Sequence, residues 1–241
     1  LAHYYNQADA LGKEVVVTYK HHDLPAGVGM VDLELGQERT LTHHEWITDT
    51  SVDDQGAWSY VSAAGFKSAD RLVDNLVDRV SKNGYLLLNV GPKPDGTIPD
   101  EARELLLEIG AWLEVNGEAI YGTTPWFFAA EGPTTLDKDG MFNEADLGYT
   151  GEDVRFTVKE GVIYATVLAW PGEEARIVSL GKGRERFPGL YESEIESITM
   201  LGSDGELDWT LTEEALVIRT PPERPGQHAF VFKITRRAPL P

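Results

Sequence analysis

The side chains of this sequence that could do chemistry are mainly carboxylates, because 40 Asp and Glu stand against 21 Lys and Arg, with no cysteine. Three of them, Asp32, Glu34 and Glu38, lie at or just beyond the end of a short apolar run, Val28 to Leu33, that reads as a buried strand. In a barrel of parallel strands, the residues at the strand C-termini and in the loops after them build the active site, so a glutamate there is placed to give and take a proton. That role at neutral pH requires a pKa raised by burial or by a second carboxylate. The plain alternative is that Glu34 is a solvated loop acid, as most glutamates in so acidic a chain must be. Asp49 and the pair Asp53-Asp54 could face a cleft, but they too read as solvated loop acids. The pairs His21-His22 and His43-His44 invite a metal reading. Adjacent histidines on a strand point to opposite faces, however, and no metal site is expected of them. Asp95-Gly96 lacks the remaining ligands of a calcium loop and reads as a turn.

These residues need a scaffold, and the sequence describes one. Leu72, Val73, Leu76, Val77 and Val80 fall on one face of a helix that stops at Asn83-Gly84. Tyr85 to Val90 is nearly all apolar, the pattern of a strand buried on both faces. Gly91-Pro92-Lys93-Pro94-Asp95-Gly96 breaks the chain. Thr97-Ile98-Pro99-Asp100 then opens a second helix, with a hydroxyl able to cap, a first-turn proline and first-turn acids. Leu105, Leu106, Ile109, Trp112 and Leu113 line its inner face as far as Asn116-Gly117. Helix, strand, loop and helix in this order make one step of a barrel. Lys13 to Tyr19 and Val28 to Leu33 read as further buried strands around a loop from His21 to Ala26, with a third short strand near Trp46 to Thr48. That gives about four strands, half of the eight that a TIM barrel needs. Half a barrel leaves open edges and an uncovered apolar interior, so it needs a partner carrying the other half, or self-association.

After Trp126 the hydrophobic period changes from 3.6 to 2. Val154 to Lys159 and Val162 to Ala169 flank Glu160-Gly161 as a hairpin. Further strands are expected at Arg176 to Leu180, Ile195 to Leu201, Leu207 to Leu211, Leu216 to Thr220 and Ala229 to Ile234. Short strands separated by Gly, Pro, Asp and Glu turns point to an antiparallel sandwich.

Size and composition agree with two domains, since 241 residues with 41% hydrophobic content suffice for real cores. The absence of cysteine excludes disulfides and thiolate metal sites and leaves the cellular compartment open. A formal net charge of −19 argues against binding to a nucleic-acid backbone or an anionic membrane surface, whereas a neutral sugar is an easier partner. No apolar run approaches the roughly 20 residues of a membrane span, and the N-terminus has no basic-then-apolar signal pattern.

The segment from Val80 to Trp126 resembles glycoside hydrolase family 29, the α-L-fucosidases, whose members carry near-copies of VSKNGxLLLNxGPxxDGTIP and GxWLxxNGEAIYGTxPW. Trp46-Ile47-Thr48-Asp49-Thr50-Ser51 and Trp58-Ser59-Tyr60 are similar to that family's WQTDTS and SWGY segments, and Tyr4-Tyr5-Asn6 and Gly12 to Lys20 continue the match. The resemblance implies an α/β plus all-β chain. Residues 1–126 would be the C-terminal half of a (β/α)8 TIM-like catalytic barrel, and residues 127–241 a C-terminal β-sandwich domain. It implies a retaining enzyme that removes α-L-fucose from glycans or glycoconjugates without a cofactor. The family's nucleophilic aspartate lies on a strand before the YYN helix, upstream of Leu1, so these residues need the N-terminal half of the same enzyme to hydrolyse anything. Many members read DxERG at the strand end, which falls on Asp32, Glu34, Leu35 and Gly36 and makes Glu34 the acid/base, with Glu38 second because the loop varies in length. Leu35 stands where those members carry arginine. Trp58 would pack against the apolar side of fucose or else plug the barrel mouth, and Trp46 would contact substrate or, more plainly, support the loop. Trp112, Trp170 and Trp209 are expected in cores. The competing reading is a non-catalytic carbohydrate-binding or assembly subunit derived from such an enzyme.

Overall fold

The computed structural model describes residues 1–21, 23–25, 27–183 and 190–237. His22 and Ala26 of the expected loop lie outside the described residues. In the first part of the chain, helix α1 (Ala2–Ala10) precedes strands β1 (Thr18–Tyr19), β2 (Met30–Asp32) and β3 (Trp46–Ser51). Helix α2 (Ala69–Ser81), strand β4 (Gly84–Asn89) and helix α3 (Asp100–Asn116) follow. The four strands pair in parallel and in chain order. Helix α2 starts where Ser68 accepts a hydrogen bond from the Arg71 amide at 3.1 Å, and it ends before Asn83, whose φ of 71° turns the chain into β4. Gly84 opens β4 because a Cβ there would lie 2.5 Å from the Trp46 indole.

Register separates the two faces of this sheet. Val31, Trp46 and Gly84 form one row on the covered face, while Asp32, Ile47 and Tyr85 form the next row on the opposite face, followed there by Asp49 with Leu87 and Ser51 with Asn89. Leu72, Val73 and Val77 of α2 and Leu105, Ile109 and Trp112 of α3 are buried in one core with partly buried Leu88 and Val90. The opposite face is open, with Tyr85 46% and Leu87 55% exposed. Tyr85 and Leu87 thus stand uncovered among the described residues, as expected of half a barrel without its other half. The expected strand at Lys13 to Tyr19 shrinks to Thr18–Tyr19, with Val15 and Val16 exposed beside an unpaired sheet edge. β3 runs three residues beyond the strand expected at Trp46 to Thr48. Leu106 is exposed rather than on the inner face of α3. Thr97 does not cap that helix either, because its amide and hydroxyl both donate to Asp95 Oδ1, at 3.0 and 2.7 Å.

The second part is antiparallel. Strands β5 (Thr124–Glu131), β6 (Val154–Lys159), β7 (Val162–Val167), β9 (Ile195–Met200) and β12 (Phe230–Arg236) form a five-stranded sheet in the order β5-β6-β7-β12-β9. Strands β8 (Glu174–Ile177), β10 (Trp209–Leu211) and β11 (Leu216–Arg219) form a three-stranded sheet. Phe156, Ile163, Ile198, Phe230 and Phe232 of the first sheet share one core with Ile177, Leu211, Leu216 and Ile218 of the second, and Trp170 and Trp209 pack against it half-buried. Glu160 and Gly161 have φ of 51° and 83°, as a two-residue hairpin turn requires. The expected strand Arg176 to Leu180 ends at Ile177 and continues as a 3-10 turn. The junction read at residues 126 and 127 falls inside β5, which starts at Thr124.

The two parts are tied through α2 and α3. Asp78, wholly buried, accepts from Lys82 Nζ at 2.7 Å and from Arg155 Nε on β6 at 2.6 Å. Trp112 Nε1 donates to the Ala229 carbonyl at 2.8 Å.

Candidate active site

Each strand of the parallel sheet ends on the same side, and there β1 brings one cation to acids carried by β2 and β3. Lys20 directly follows β1, Asp32 ends β2, Glu34 lies two residues beyond it and Asp49 is on β3. Lys20 Nζ stands 2.7 Å from Glu34 Oε2, 3.0 Å from Asp49 Oδ2 and 3.6 Å from Asp32 Oδ2. The other oxygen of Glu34, Oε1, accepts a hydrogen bond from Trp58 Nε1 at 3.1 Å. Burial opposes the charge of Lys20, but its contacts with Glu34 and Asp49 outweigh that and hold its pKa above the ordinary lysine value. Burial and the adjacent Asp49 carboxyl push Asp32 up to about 6, with Lys20 acting in the opposite direction. Oδ1 of Asp32 and Oδ1 of Asp49 are both buried and accept no hydrogen bond from the described protein groups.

Local backbone holds Glu34 in this position. The Leu33 amide donates to Ile47 O at 2.8 Å and the Leu35 amide to Asp49 O at 3.0 Å, extending the β2–β3 pairing past the strand end. Leu35 then takes a φ of 46°, which turns the chain out of the sheet. Leu35 thus supplies a backbone corner, and Lys20 brings a cation to Glu34 from the end of a different strand.

The loop after β3 carries Trp58. Asp53 Oδ1 accepts from the Gln55 and Ala57 amides at 3.0 and 2.9 Å, shaping the turn that leads to the tryptophan. Burial would raise the Asp53 pKa, yet its hydrogen bonds with Ser51 and these amides keep it below the usual carboxylate value. Trp58 is 41% exposed on the side of the sheet where Glu34 lies.

Several expectations change here. Asp49 and Asp53 are not solvated loop acids, because Asp49 belongs to the Lys20 cluster and Asp53 is a buried turn former; Asp54 is exposed as expected. Trp46 is 0% exposed, with Nε1 donating to Lys82 O at 3.2 Å at the start of β3, so no face of it remains for a ligand. The row of the sheet in which it lies faces the core of Val31 and Leu33, opposite to the Glu34 cluster. Glu38 is half-buried, and burial with the Asp139 carboxylate holds its pKa above the usual carboxylate value against His44 and Lys82. His21, His43 and His44 are exposed in loops, and His22 lies outside the described residues. Lys20 was missed by sequence reading, although the rule that directs attention to Glu34, a position directly after a parallel strand, applies to it equally.

Comparison with known proteins gives a consistent result. The α-L-fucosidase family model matches residues 1–118, and the model of the α-L-fucosidase C-terminal domain matches residues 149–235. The tissue α-L-fucosidase of Rattus norvegicus is 34% identical over 205 residues, which are 82% of this chain and 38% of that protein. The plasma α-L-fucosidase of Homo sapiens is 37% identical over 185 residues, covering 75% of this chain and 34% of that one. A crystal structure of Thermotoga maritima α-fucosidase in complex with fucose superposes with a TM-score of 0.72 at 27% identity, covering 97% of this chain and 47% of that chain. The chain thus spans less than half the length of these relatives.

Proposed function

Because this chain belongs to the α-L-fucosidases of glycoside hydrolase family 29, as their C-terminal part, we propose that it contributes the acid/base half of a retaining α-L-fucosidase active site. The parallel sheet is then the second half of a (β/α)8 barrel, and its open face, with Ile47, Tyr85 and Leu87, is the barrel interior that the N-terminal half closes. The two antiparallel sheets are the C-terminal sandwich. The nucleophile is an aspartate outside these 241 residues, so hydrolysis requires the N-terminal half.

The observation that carries this reading is the Glu34 carboxylate, held between Lys20 and Trp58 at the C-terminal side of a parallel sheet. In the double displacement, Glu34 protonates the leaving oxygen while the nucleophile attacks, then deprotonates the water that cleaves the glycosyl-enzyme. The two carboxyl groups of such a pair stand about 5–5.5 Å apart, so the nucleophile's charge supplies part of what keeps the acid protonated. The exposed Trp58 ring is an apolar surface for the methyl group and C–H face of a 6-deoxy sugar.

The test is Glu34→Gln in the complete enzyme. For fucosides with poor leaving groups kcat/KM falls by about 10²- to 10⁴-fold, the usual worth of a general acid, while kcat/KM for a 2,4-dinitrophenyl fucoside is largely spared. Unchanged turnover of both substrates would remove Glu34 from the mechanism.

A further inference from the structure

The loop bearing Glu34 is built against a segment that follows it by about a hundred residues. Between β5 and β6 the chain returns to the parallel sheet and runs alongside residues 34–37. The Phe142 amide donates to Glu34 O at 2.9 Å, and the Asn143 and Glu144 amides donate to Leu35 O at 3.0 and 2.8 Å. Gly140 and Gln37 exchange a pair of backbone hydrogen bonds at 2.9 and 3.1 Å, and Gln37 Nε2 donates to Asn143 O at 3.2 Å. The approach is close enough that a Cβ on Gly36 would lie 2.2 Å from Gly140 O. The Leu35 corner, with its positive φ, is thus held by two amides on its carbonyl as well as by Asp49 on its own amide.

What holds the returning segment is the side chain of Glu144. It is 4% exposed and reaches into the polar layer between β3 and α2. Oε2 accepts from Thr50 Oγ1 at 2.5 Å and from Lys67 Nζ at 3.1 Å, while Oε1 accepts from Asn75 Nδ2 at 2.8 Å and stands 3.7 Å from Arg71 Nη2. A carboxylate so nearly excluded from water is stable only with that full set of partners. Its backbone grips the acid/base loop and its head grips the strand and helix beside it.

We infer that Glu144 is a positioning residue for Glu34, a latch through which the segment after β5 sets the backbone of residues 34–37 and so aims the acid/base carboxylate. The inference rests on the acid/base reading of Glu34. It requires neither contact of Glu144 with substrate nor any change in the groups around the reacting bond. A displacement of the carboxylate by about 1 Å is sufficient to cost on the order of 100-fold in rate.

The experiment compares Glu144→Gln and Glu34→Gln in the complete enzyme, with amide hydrogen exchange across residues 33–38 and kcat/KM on a poor and an activated fucoside. Exchange of the 33–38 amides is expected to rise by about 10-fold in Glu144→Gln. Its kcat/KM on the poor leaving group falls about 10- to 100-fold while the activated aryl fucoside is spared, repeating the leaving-group pattern of Glu34→Gln in weaker form. Unchanged exchange overturns the inference, and so does a proportional loss on both substrates, the mark of a smaller folded fraction. If Glu144→Gln does not fold, Asn75→Ala, which removes one donor from Oε1 and keeps the Lys67 pair, decides by the same two readouts. Should Glu34→Gln itself show no leaving-group dependence, it is the acid/base reading that fails, and the exchange result still decides for or against the latch.

Discussion

The indole nitrogen of Trp58 donates to Glu34 Oε1 at 3.1 Å, across 24 residues of sequence. With Lys20 on Oε2, both oxygens of the carboxylate have donors. The more exposed of the two donors is Trp58, whose ring is also the sugar surface under the proposed function.

The two uses of Trp58 separate by substitution. In the complete enzyme, Trp58→Phe keeps an apolar ring and loses the N–H, so KM for a fucoside stays within about two-fold of the parent. Trp58→Ala loses the ring as well, and KM rises about 10-fold, a little over 1 kcal/mol of lost contact. Equal KM values for Phe and Ala would show that the ring does not touch the sugar.

Lys20 is the countercharge for three carboxylates, and Asp32 reports on it. Asp32 titrates at about 6 with Lys20 present. In Lys20→Met the opposing cation is gone while burial and Asp49 remain, so the midpoint moves above that value, as read from the carboxyl carbon of Asp32 by NMR. A midpoint that stays put or falls would mean that Lys20 does not govern the cluster.

The tie between the two parts of the chain is a buried ion triad. Asp78→Ala leaves Lys82 and Arg155 buried without their shared partner, and breaking a buried pair from one side costs about 3–5 kcal/mol. Denaturant unfolding of the variant is expected to show that loss. A cost under about 1 kcal/mol would place the triad with surface pairs in energetic terms.

Asp74 of the same helix gives a pH dependence of opposite sense to a paired carboxylate. Burial raises it to about 8, with Asp70 and Asp78 adding to the shift against Arg155, and its Oδ1 has no hydrogen-bond partner among the described residues. A carboxyl whose folded pKa exceeds its unfolded value of 3.8 disfavours folding once the unfolded chain ionises. Its contribution to stability therefore declines from about pH 4 to about pH 8 and is level above that. Asp74→Asn removes the decline, so its advantage in Tm over the parent grows between pH 5 and pH 8. An advantage independent of pH would contradict the raised pKa.

Much of this molecule was determined by short-range sequence. The 3.6-residue spacing of Leu72, Val73 and Val77 and the Asn83-Gly84 stop specify α2 and its end, because side-chain direction and left-handed backbone are local properties. Glu160-Gly161 specifies its hairpin for the same reason, and the run ending in Asp32-Leu33-Glu34 marks an acid at a strand end. What tertiary structure decided is which polar groups meet. Trp46 and Trp58 look alike in sequence, yet parallel register seats the first at the buried beginning of β3 and leaves the second on the loop beyond its end. Asp49 looks like a loop acid until β3 proves longer and turns it toward Lys20. Glu144 has no local signal at all, since its partners Thr50, Lys67 and Asn75 lie 94, 77 and 69 residues away. An apolar position is legible because burial follows a period along the chain, whereas a polar one is decided by distances across the fold that no local period records.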